Sequence, residues 1–480
     1  MRPPLFFIPL LLFCLHADAI LWSTLGVVAD GCTDNTPALN ALPPGVPIEG
    51  DCPQGADILA QGVWYLRSQL YLRVQAGCRV LSNATGVGSY AISQLDPSQP
   101  LSNVTLIGLT VAKTSQLAGD RILLAYIDNF QLLNWTFHHH GGAMFLRGSC
   151  QEVAGGSSFD AAPEVGSPGI RHIGNLPKAA CLRPQPANVW VHHNSIASGD
   201  GAYQACQPLA NALWAGVGSD DLLFEANTGA STASAFILVG LHNVPPQHSS
   251  FTCSNMTFQD MQGSGLRLIY VQAASAPNLV TRLLLRNLQL RATPHLSYTP
   301  ASIQVTAVWG GAVRGVLMDG IHALGTLQVA LNETGLLEGV VFTNGALAAP
   351  AVGGSGPTVS IEGGAFAVLS NSFIGAPLAG DGISLALQSA AQGTQVLNCT
   401  LAGVGVNRVG IALGSANGSL VLGNTFSPQQ GAPRTTGIAL GAATSNAAVH
   451  LNDVRAMATG IVCGRGSGNS VSNNPGAADC

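Results

Sequence analysis

The sequence predicts an all-β protein built as a solenoid, in which short parallel strands stack coil upon coil along one axis. Three observations predict this fold class: a repeat of 25–33 residues along most of the chain, strand-like alternation within each repeat, and no sustained helical period. A repeat of this length with several strands and no helix is typical of a parallel solenoid. A β-sandwich with coincidental spacing is the alternative, and eleven aligned repeats disfavour it.

Each repeat begins with a short β-rich run that ends at a small polar residue. These residues are Asn134, Asn194, Asn227, Asn255, Asn287, Asp319, Asn344, Asn371, Asn398, Asn424 and Asn452. The first step spans 60 residues because it contains an insertion, and the later steps span 25–33. We expect these side chains to form one inward-facing row, in which they hydrogen-bond one another and the turn backbone as a ladder.

Composition excludes several classes of protein. The chain has 480 residues, of which 9% are charged, and a net charge of −5. Mean hydropathy is +0.32, yet no apolar run after the N-terminus approaches the roughly 20 residues of a spanning helix. Abundant apolar residues argue against disorder, and the glycines lack the period of three of collagen. With only Lys113 and Lys178 as lysines and no basic block, nucleic acid is not an expected partner.

The N-terminus predicts export. Arg2, the apolar run 5–15 and Ala17-Asp18-Ala19 are typical of a secretory signal peptide, which we assign to residues 1–19. An uncleaved anchor is the alternative, but the run is too short to span a bilayer. No hydrophobic tail follows at the C-terminus, so a lipid anchor is not expected there. The protein is therefore expected to be secreted.

Cysteine and sequon usage agrees with export. Ten cysteines remain after the signal, and an even number in an exported chain indicates disulfides. Cys150–Cys181 and Cys463–Cys480 are the favoured pairs, with other connectivities open. Seven N-x-S/T sequons occur, at Asn83, Asn103, Asn134, Asn255, Asn332, Asn398 and Asn417. The three that fall in the predicted ladder, Asn134, Asn255 and Asn398, are expected to be inaccessible to glycosylation.

The segment LGVVADGCTDNTPALNALP resembles the GDGxTDDTxAIQxAI opening of the pectin-lyase-like superfamily, through Ala29-Asp30-Gly31 and Thr33-Asp34-Asn35-Thr36. The resemblance implies a right-handed parallel β-helix with an N-terminal cap, in which this segment forms a turn and a capping helix. It divides the chain into a cap with the first coils at 20–100, a β-helix at 101–464 with an insertion at 147–187, and a tail at 465–480.

Local strings resemble the polygalacturonase-type glycoside hydrolases of that superfamily. SGDGAYQAC is similar to their G-D-D coil, so Asp200 takes one carboxylate position and Gly201 stands where the second acid belongs. GSGLRLIYV is similar to their R-I-K coil, with Arg267 as the arginine and Ile269 in place of the lysine. Their N-T-D acid and G-H-G histidine have no counterpart in the neighbouring coils. The resemblance implies a polysaccharide partner that lies in a groove along one sheet.

Three functions remain open. An inverting hydrolase needs two carboxyls about 6.5–9.5 Å apart, and Asp200 supplies one. A lyase is the second choice, with Arg267 as the base. A non-catalytic cell-surface or matrix solenoid that binds glycan is the alternative to both. We expect Gly199–Gly201 and Gly263–Gly265 to lie at the same level two coils apart, so that the catalytic candidates Asp200 and Arg267 share one sheet face, two residues out of register.

The predicted groove lies near residues 140–270, with the 147–187 insertion as a wall and the coils after residue 310 as scaffold. Candidates for sugar binding are His192, His193, Tyr203, Trp214 and Tyr270, because imidazoles donate hydrogen bonds and aromatic rings stack on sugars. Packing beneath a loop is the alternative role for the aromatic residues. No metal and no cofactor is expected.

Overall fold

The computed structural model describes most of the chain from residue 19 onward. The described residues are 19–75, 77–83, 90–95, 101–113, 121–125, 127–134, 136–140, 144–149, 151–155, 158–161, 170–175, 188–198, 203–205, 220–240, 252–274, 277–293, 302–331, 335–348, 357–365, 367–375, 383–388, 391–404, 408–429, 434–464 and 466–477. Within them, every strand pairing is parallel and joins one coil to the next. The predicted all-β parallel β-helix is confirmed.

Two sheets run along the helix axis. In the described part of the chain, sheet A has 19 strands and sheet B has 27. The strands of sheet A are Ile20–Leu21, Pro47–Gly50, Tyr71–Val74, Leu101–Ile107, Ile127–Leu133, Gln151–Gly155, Asn188–His192, Asp220–Glu225, Thr252–Gln259, Leu279–Arg286, Ala312–Asp319, Leu336–Thr343, Gly364–Ala365, Val368–Ser370, Ala391–Gln392, Gln395–Leu397, Leu420–Leu422, Ala448–His450 and Ser470–Ser472.

Sheet B has two limbs, which follow each other in every coil. The first limb contains Asp57–Ala60, Arg79–Ser82, Thr110–Lys113, Thr136–His140, Ser158–Ala161, Ser195–Ser198, Gln289–Ala292, His322–Leu324, Ala346–Ala348, Phe373–Gly375, Thr400–Val404 and Thr425–Pro428. The second contains Trp64–Leu66, Tyr90–Gln94, Arg121–Ala125, Met144–Ser149, Ile170–Asn175, Tyr203–Ala205, Ile303–Val308, Leu327–Leu331, Val359–Glu362, Ile383–Leu387, Val409–Leu413, Thr436–Leu440 and Thr459–Val462. Thr228–Gly240 and Gln262–Ala274 each run through both limbs.

The core is a continuous apolar column inside the coils. Alternate strand residues point inward and stack on the equivalent residue of the next coil, as the rings of Phe224 and Phe258 do at a centroid distance of 4.6 Å. Removing such side chains from water is the main driving force for this fold. A stacked coil buries its interior only against its neighbours, so stability is shared along the axis.

The N-terminal motif has a structural role. A 3-10 helix occupies Trp22–Leu25 and an α-helix Thr36–Asn40, within the segment for which the resemblance implies a turn and a helix. Asp30 accepts hydrogen bonds from the backbone of Cys32 and from both the backbone and hydroxyl of Thr33, which lowers the pKa of Asp30 to about 2. The buried Asn35 bonds the backbone of Val28. These polar residues fix the first turn.

The predicted polar row is corrected to two adjacent rows, and the predicted members Asn255 and Asp319 lie in neither of them. The outer row has left-handed backbone, with φ between 48° and 69°, and consists of Asn134, His193, Ala226, Asp260, Asn287, Gly320, Asn344, Asn371, Asn398, Gly423, Leu451 and Asn473. The inner row follows one residue later, is buried, and consists of Asn194, Asn227, Met261, Leu288, Ile321, Gly345, Ser372, Cys399, Asn424, Asn452 and Asn474. Asparagine suits both rows, because it tolerates left-handed backbone and also bonds turn backbone.

The inner row forms a true ladder in two sections. Asn194 donates its backbone and side-chain N–H groups to Oδ1 of Asn227. The same pattern recurs from Asn424 to Asn452, and from Asn452 to Asn474. Between the two sections the row holds apolar and small residues, so the predicted ladder is interrupted.

This correction reverses the expectation for two sequons, because Asn134 and Asn398 both lie exposed in the outer row. Asn398 belongs to the outer row and is exposed, with φ of 52°. We therefore predict a glycan on Asn398 when the chain is secreted from a eukaryotic host. Peptide mass mapping after enzymatic deglycosylation should mark Asn398 as modified, and the Thr400→Ala variant should lack the mark. An unmodified Asn398 beside glycosylated neighbouring sequons would contradict the prediction.

The cysteines are used in more than one way. Cys52 and Cys78 form a disulfide with each other. Cys253 and Cys463 each take part in a disulfide as well. Cys150, Cys181 and Cys480, which complete the two predicted pairs, lie outside the described residues. Cys32 and Cys399 are free, so an even count does not mean that all ten pair. Burial raises the pKa of the Cys399 thiol to about 11.

Candidate functional site

The second limb of sheet B carries the part of the predicted site that the structure describes. Arg267 and Tyr270 lie on it, and Tyr203 begins its strand Tyr203–Ala205. Asp200 and Trp214 lie outside the described residues. His192 and His193 lie elsewhere, where sheet A turns into the first limb. The first limb separates them from Arg267, so the structure does not bring all the candidates together.

The predicted register is corrected by the flanking strands. Through the intervening strand, Ser198 is level with Gly265, and Tyr203 is level with Ile269. The expected alignment of residues 199–201 with 263–265 is therefore wrong. The chain takes five steps from Ser198 to Tyr203 and four from Gly265 to Ile269.

This register bears on the proposed pair. Asp200 lies in the sequence between Ser198 and Tyr203. These residues are level with Gly265 and Ile269, and Arg267 is midway between Gly265 and Ile269. Asp200 itself lies outside the described residues, so its predicted offset from Arg267 stays a prediction. A β-carbon at Gly265 would collide with the carbonyl oxygen of Arg267, so only glycine fits the bend that precedes the arginine.

Arg267 and Tyr270 form a stacked pair on the outer face of this limb. The guanidinium carbon of Arg267 lies 4.6 Å from the centroid of the Tyr270 ring, a favourable cation–π contact. Tyr270 is only 7% exposed and packs with Ala235 and Leu238 in an apolar cluster separate from the main core. The ring holds the guanidinium plane in place, and a planar fork of N–H donors is suited to bind carboxylates or hydroxyls.

Polar residues continue this surface along the axis. In register with Tyr270 lie Gln304 and then Gln328, and Gln304 donates to Gln328 at 3.3 Å. Gln328 in turn donates to Glu362 at 3.3 Å. Carboxamides supply both donors and acceptors, so this line can bond hydroxyl groups of either orientation.

Thr306 adds an unsatisfied group next to this line. It is level with Gln272 on one side and Ala330 on the other. It is 5% exposed, and its Oγ1 has no hydrogen-bond partner among the described residues. Buried hydroxyls normally have a partner, but solvent does not reach this oxygen, so it borders the line without adding an accessible group.

We name Arg267, Tyr270, Gln304, Thr306, Gln328 and Glu362 the polar strip. The sequence analysis missed its last four residues because it placed the groove near residues 140–270 and assigned the coils after residue 310 to scaffold. The scaffold interpretation of the coils that hold Gln328 and Glu362 stays a prediction. The missed signal was the polar residue at the fourth place of ASIQVTA, GTLQVAL and PTVSIEG, which is Gln304, Gln328 and Ser360, with Glu362 two residues further on.

The two histidines form a separate cluster on another edge. Their rings meet edge to face at 5.2 Å, with the Nδ1 atoms 3.0 Å apart. His192 is level with Glu225, whose carboxylate accepts a hydrogen bond from Gln259. Burial and then the charge of His193 lower the pKa of His192, although Glu225 acts in the opposite sense.

The lowered pKa of His192 predicts a pH dependence of stability. The folded state binds this proton less readily than the unfolded state, so stability falls as the pH drops below about 6.5, the ordinary pKa of histidine. The His192→Gln variant should lose this part of the decline, measured as the denaturation midpoint from pH 7 to pH 5. An identical slope in both proteins would contradict the prediction.

Two further features bear on the chemistry. Among the described residues, no group of three or more His, Cys, Asp or Glu side chains is placed to hold a metal ion. No described helix is long and apolar enough to cross a membrane.

No family model and no curated protein sequence matches the chain. Solved structures do match it. A family 28 exopolygalacturonase of Yersinia enterocolitica is 13% identical, with 88% of this chain and 78% of that chain covered and a TM-score of 0.43. A surface adhesin of Streptococcus pneumoniae is 12% identical, with 88% and 93% covered and a TM-score of 0.40.

The A-module of a mannuronan C-5 epimerase of Azotobacter vinelandii is also similar. It is 12% identical, with 94% of this chain and 99% of that chain covered and a TM-score of 0.35. At such identities and TM-scores the similarity says nothing about function. What the chain does has to be argued from its own residues.

Proposed function

We propose that this chain is a secreted protein that binds a polysaccharide along the polar strip. The observation that carries the proposal is the continuation of the Arg267–Tyr270 stack into the hydrogen-bonded line Gln304, Gln328 and Glu362. Coils repeat about every 4.8 Å, so equivalent groups recur along the axis at short, regular intervals. A chain molecule with repeating hydroxyl groups fits such a surface better than a compact ligand does.

The chemistry of the strip matches a sugar chain. Carboxamides bond hydroxyls as donors and acceptors, and the guanidinium of Arg267 can bond a hydroxyl or the carboxylate of an acidic sugar. Glu362 lies at the other end of the strip and repels anionic groups. The strip therefore suits a largely neutral polysaccharide, with an acidic group accepted near Arg267.

Cleavage of that polysaccharide is a second candidate, which the register favours. Asp200 lies in the segment between Ser198 and Tyr203. The strands before and after this segment are level with residues on either side of Arg267. A carboxylate beside a guanidinium has a lowered pKa, which suits a base or a binding group and not a general acid. Hydrolysis needs a second carboxyl, whereas a lyase needs a single base.

A polysaccharide screen tests both candidates. The full chain is presented to a glycan array and then incubated with the bound polysaccharides, and new reducing ends and unsaturated products are measured. Binding without either product supports a binding protein. Products that disappear in the Asp200→Asn variant support catalysis, and unsaturated products identify a lyase. The absence of binding to any polysaccharide would overturn the proposal.

The strip itself is tested by a matched pair of variants. Gln304→Ala combined with Gln328→Ala should weaken polysaccharide binding about tenfold, because two hydrogen-bonding groups are lost. Gln289→Ala changes an exposed glutamine in the first limb of sheet B, and this control should bind as the wild type does. Equal binding by the double variant and the control would show that the strip is not the binding surface.

A further inference from the structure

The outer face of sheet A carries an aliphatic stripe. Leu284, Leu317, Val341 and Val368 lie side by side on successive coils. Leu317 is 36% exposed, and the other three are partly exposed. Contiguous apolar surface of this kind is rare on a monomer and marks an interaction site when it is large.

A backbone irregularity keeps charged residues on the same face. Gly315 and Gly339 have φ of 63° and 66° at equivalent positions in neighbouring strands. Each of these glycines is an extra residue between two outward-pointing positions of its strand. Arg314 and Leu317 therefore both point outward, while Val316 between them is buried. Glu338 occupies the position of Arg314 on the next coil.

Charges of opposite sign border the stripe. On one side, Nε of Arg314 lies 3.5 Å from Oε2 of Glu338. On the other, Nε of Arg286 lies 3.5 Å from Oδ2 of Asp319. All four side chains are substantially exposed, so each retains surface to pair with a further charge.

The stripe is symmetric in polarity about its middle. The middle of the stripe lies between Leu317 and Val341, which are on neighbouring coils. One coil further away on either side lie Leu284 and Val368. Beyond them lie Thr257 and Gln395, which are both polar. The last pair is Leu223 and Leu420, which are both apolar. With the coil order reversed, the stripe therefore meets a copy of itself like against like, and Arg314 meets Glu338. On the other border, Asp319 and Arg286 meet the hydroxyl residues Thr343 and Ser370.

We propose that this face joins two copies of the chain about a two-fold axis, which runs along the strand direction between Leu317 and Val341. Such an axis reverses the coil order and keeps each border on its own side. In each copy, Leu317 then faces Val341 of the other copy, and Arg314 faces Glu338 of the other copy. A self-complementary patch of this kind is what a two-fold interface requires.

The size of the face suits a small interface. Eight coils spaced at about 4.8 Å make it about 34 Å long. The strands of eight residues are about 20 Å wide and those of three residues about 10 Å wide, so its area is roughly 500 Å². Two such faces bury about 1,000 Å² together, the lower bound for a specific interface. Sheet A and the polar strip are on different faces, so the dimer leaves both polar strips free.

The oligomeric state of the full chain tests this interface. Sedimentation equilibrium should show a dimer for the wild type, and Leu317→Glu should raise the dissociation constant about 100-fold, because it buries two charges at the centre. Leu324→Glu is the matched control, since Leu324 is 38% exposed on the outer face of sheet B, and it should remain dimeric. A monomeric wild type, or equal dissociation of both variants, would overturn the proposal.

A charge exchange tests the geometry. Arg314→Glu alone should weaken the dimer about tenfold, and Arg314→Glu combined with Glu338→Arg should restore it. A double variant as weak as the single one would overturn the two-fold arrangement. If the wild type is monomeric and Leu317→Glu instead loses polysaccharide binding, the face is a glycan surface and the dimer is wrong.

Discussion

Replacing Asn452 by alanine is expected to lower the free energy of unfolding by about 4 kcal/mol, because several buried groups lose their partners at once. Oδ1 of Asn452 accepts bonds from the backbone and side chain of Asn424. Nδ2 donates to the carbonyl oxygens of Val421 and His450 and to Asn474. Water does not reach this fully buried site, so no solvent bond replaces those that are lost.

The matched control lies in the outer row. Asn398→Gly removes a carboxamide of the same size, but Asn398 is exposed and its φ of 52° is one that glycine adopts freely. We expect its effect to stay below about 1 kcal/mol. Guanidinium denaturation followed by far-ultraviolet circular dichroism measures both variants. If the two lose the same stability, the distinction between the rows is wrong.

The effect should also be local. Each coil contacts only its neighbours, so loss of one ladder residue weakens the adjacent coils most. Hydrogen exchange should therefore accelerate in Leu420–Leu422 and Ala448–His450 and stay unchanged in the early coils near Tyr71–Val74. Uniform acceleration along the chain would show instead that the solenoid unfolds as a single unit.

The fold could be predicted because repetition carries it. A stacked coil needs the same inward positions in every repeat, so period, alternation and turn residues all recur. The exact row could not be predicted, because two consecutive turn positions both favour asparagine for different reasons. Asn398 and Asn424 stand in similar strings, LNCT and GNTF. Asn398 is exposed with left-handed backbone, whereas Asn424 is buried. Only the strand register separates them.

Cys399 shows why counting cysteines was not sufficient. It occupies an inner-row position, where its thiol contacts the carbonyl oxygen of Leu369 as the carboxamide of Asn424 contacts that of Val396. Its backbone N–H donates to Oδ1 of Asn424. A thiol can therefore replace an asparagine in the ladder, and the composition of the chain does not reveal which cysteines do so.

The candidate site shares only some residues with the sequence prediction. Arg267 and Tyr270 were both named from the sequence, and the structure adds the contact between them. The line through Gln304, Gln328 and Glu362 was missed because glutamines in a strand give no motif, and only the alignment of coils shows that they meet. The histidines were grouped with Arg267 by proximity in sequence, whereas the first limb separates them in space.

Replacing Arg267 by alanine should weaken polysaccharide binding about 20-fold, the largest effect expected on function from one residue. Hydrogen bonds from a charged donor contribute about 1.5–3 kcal/mol each, and the Tyr270 ring holds this donor in place, which reduces the entropy lost on binding. Affinity is measured by isothermal titration calorimetry or by retardation in gels that contain the polysaccharide.

Three companion variants give the Arg267 result its meaning. Arg291→Ala removes an exposed arginine from the outer face of the first limb and should bind as the wild type does. Tyr270→Phe keeps the ring beneath the guanidinium and should also bind normally, whereas Tyr270→Leu removes the cation–π contact and should weaken binding about fivefold. If Arg267→Ala keeps full affinity but loses product formation, Arg267 acts in cleavage and not in binding. If it keeps both, the polysaccharide binds on another face of the β-helix.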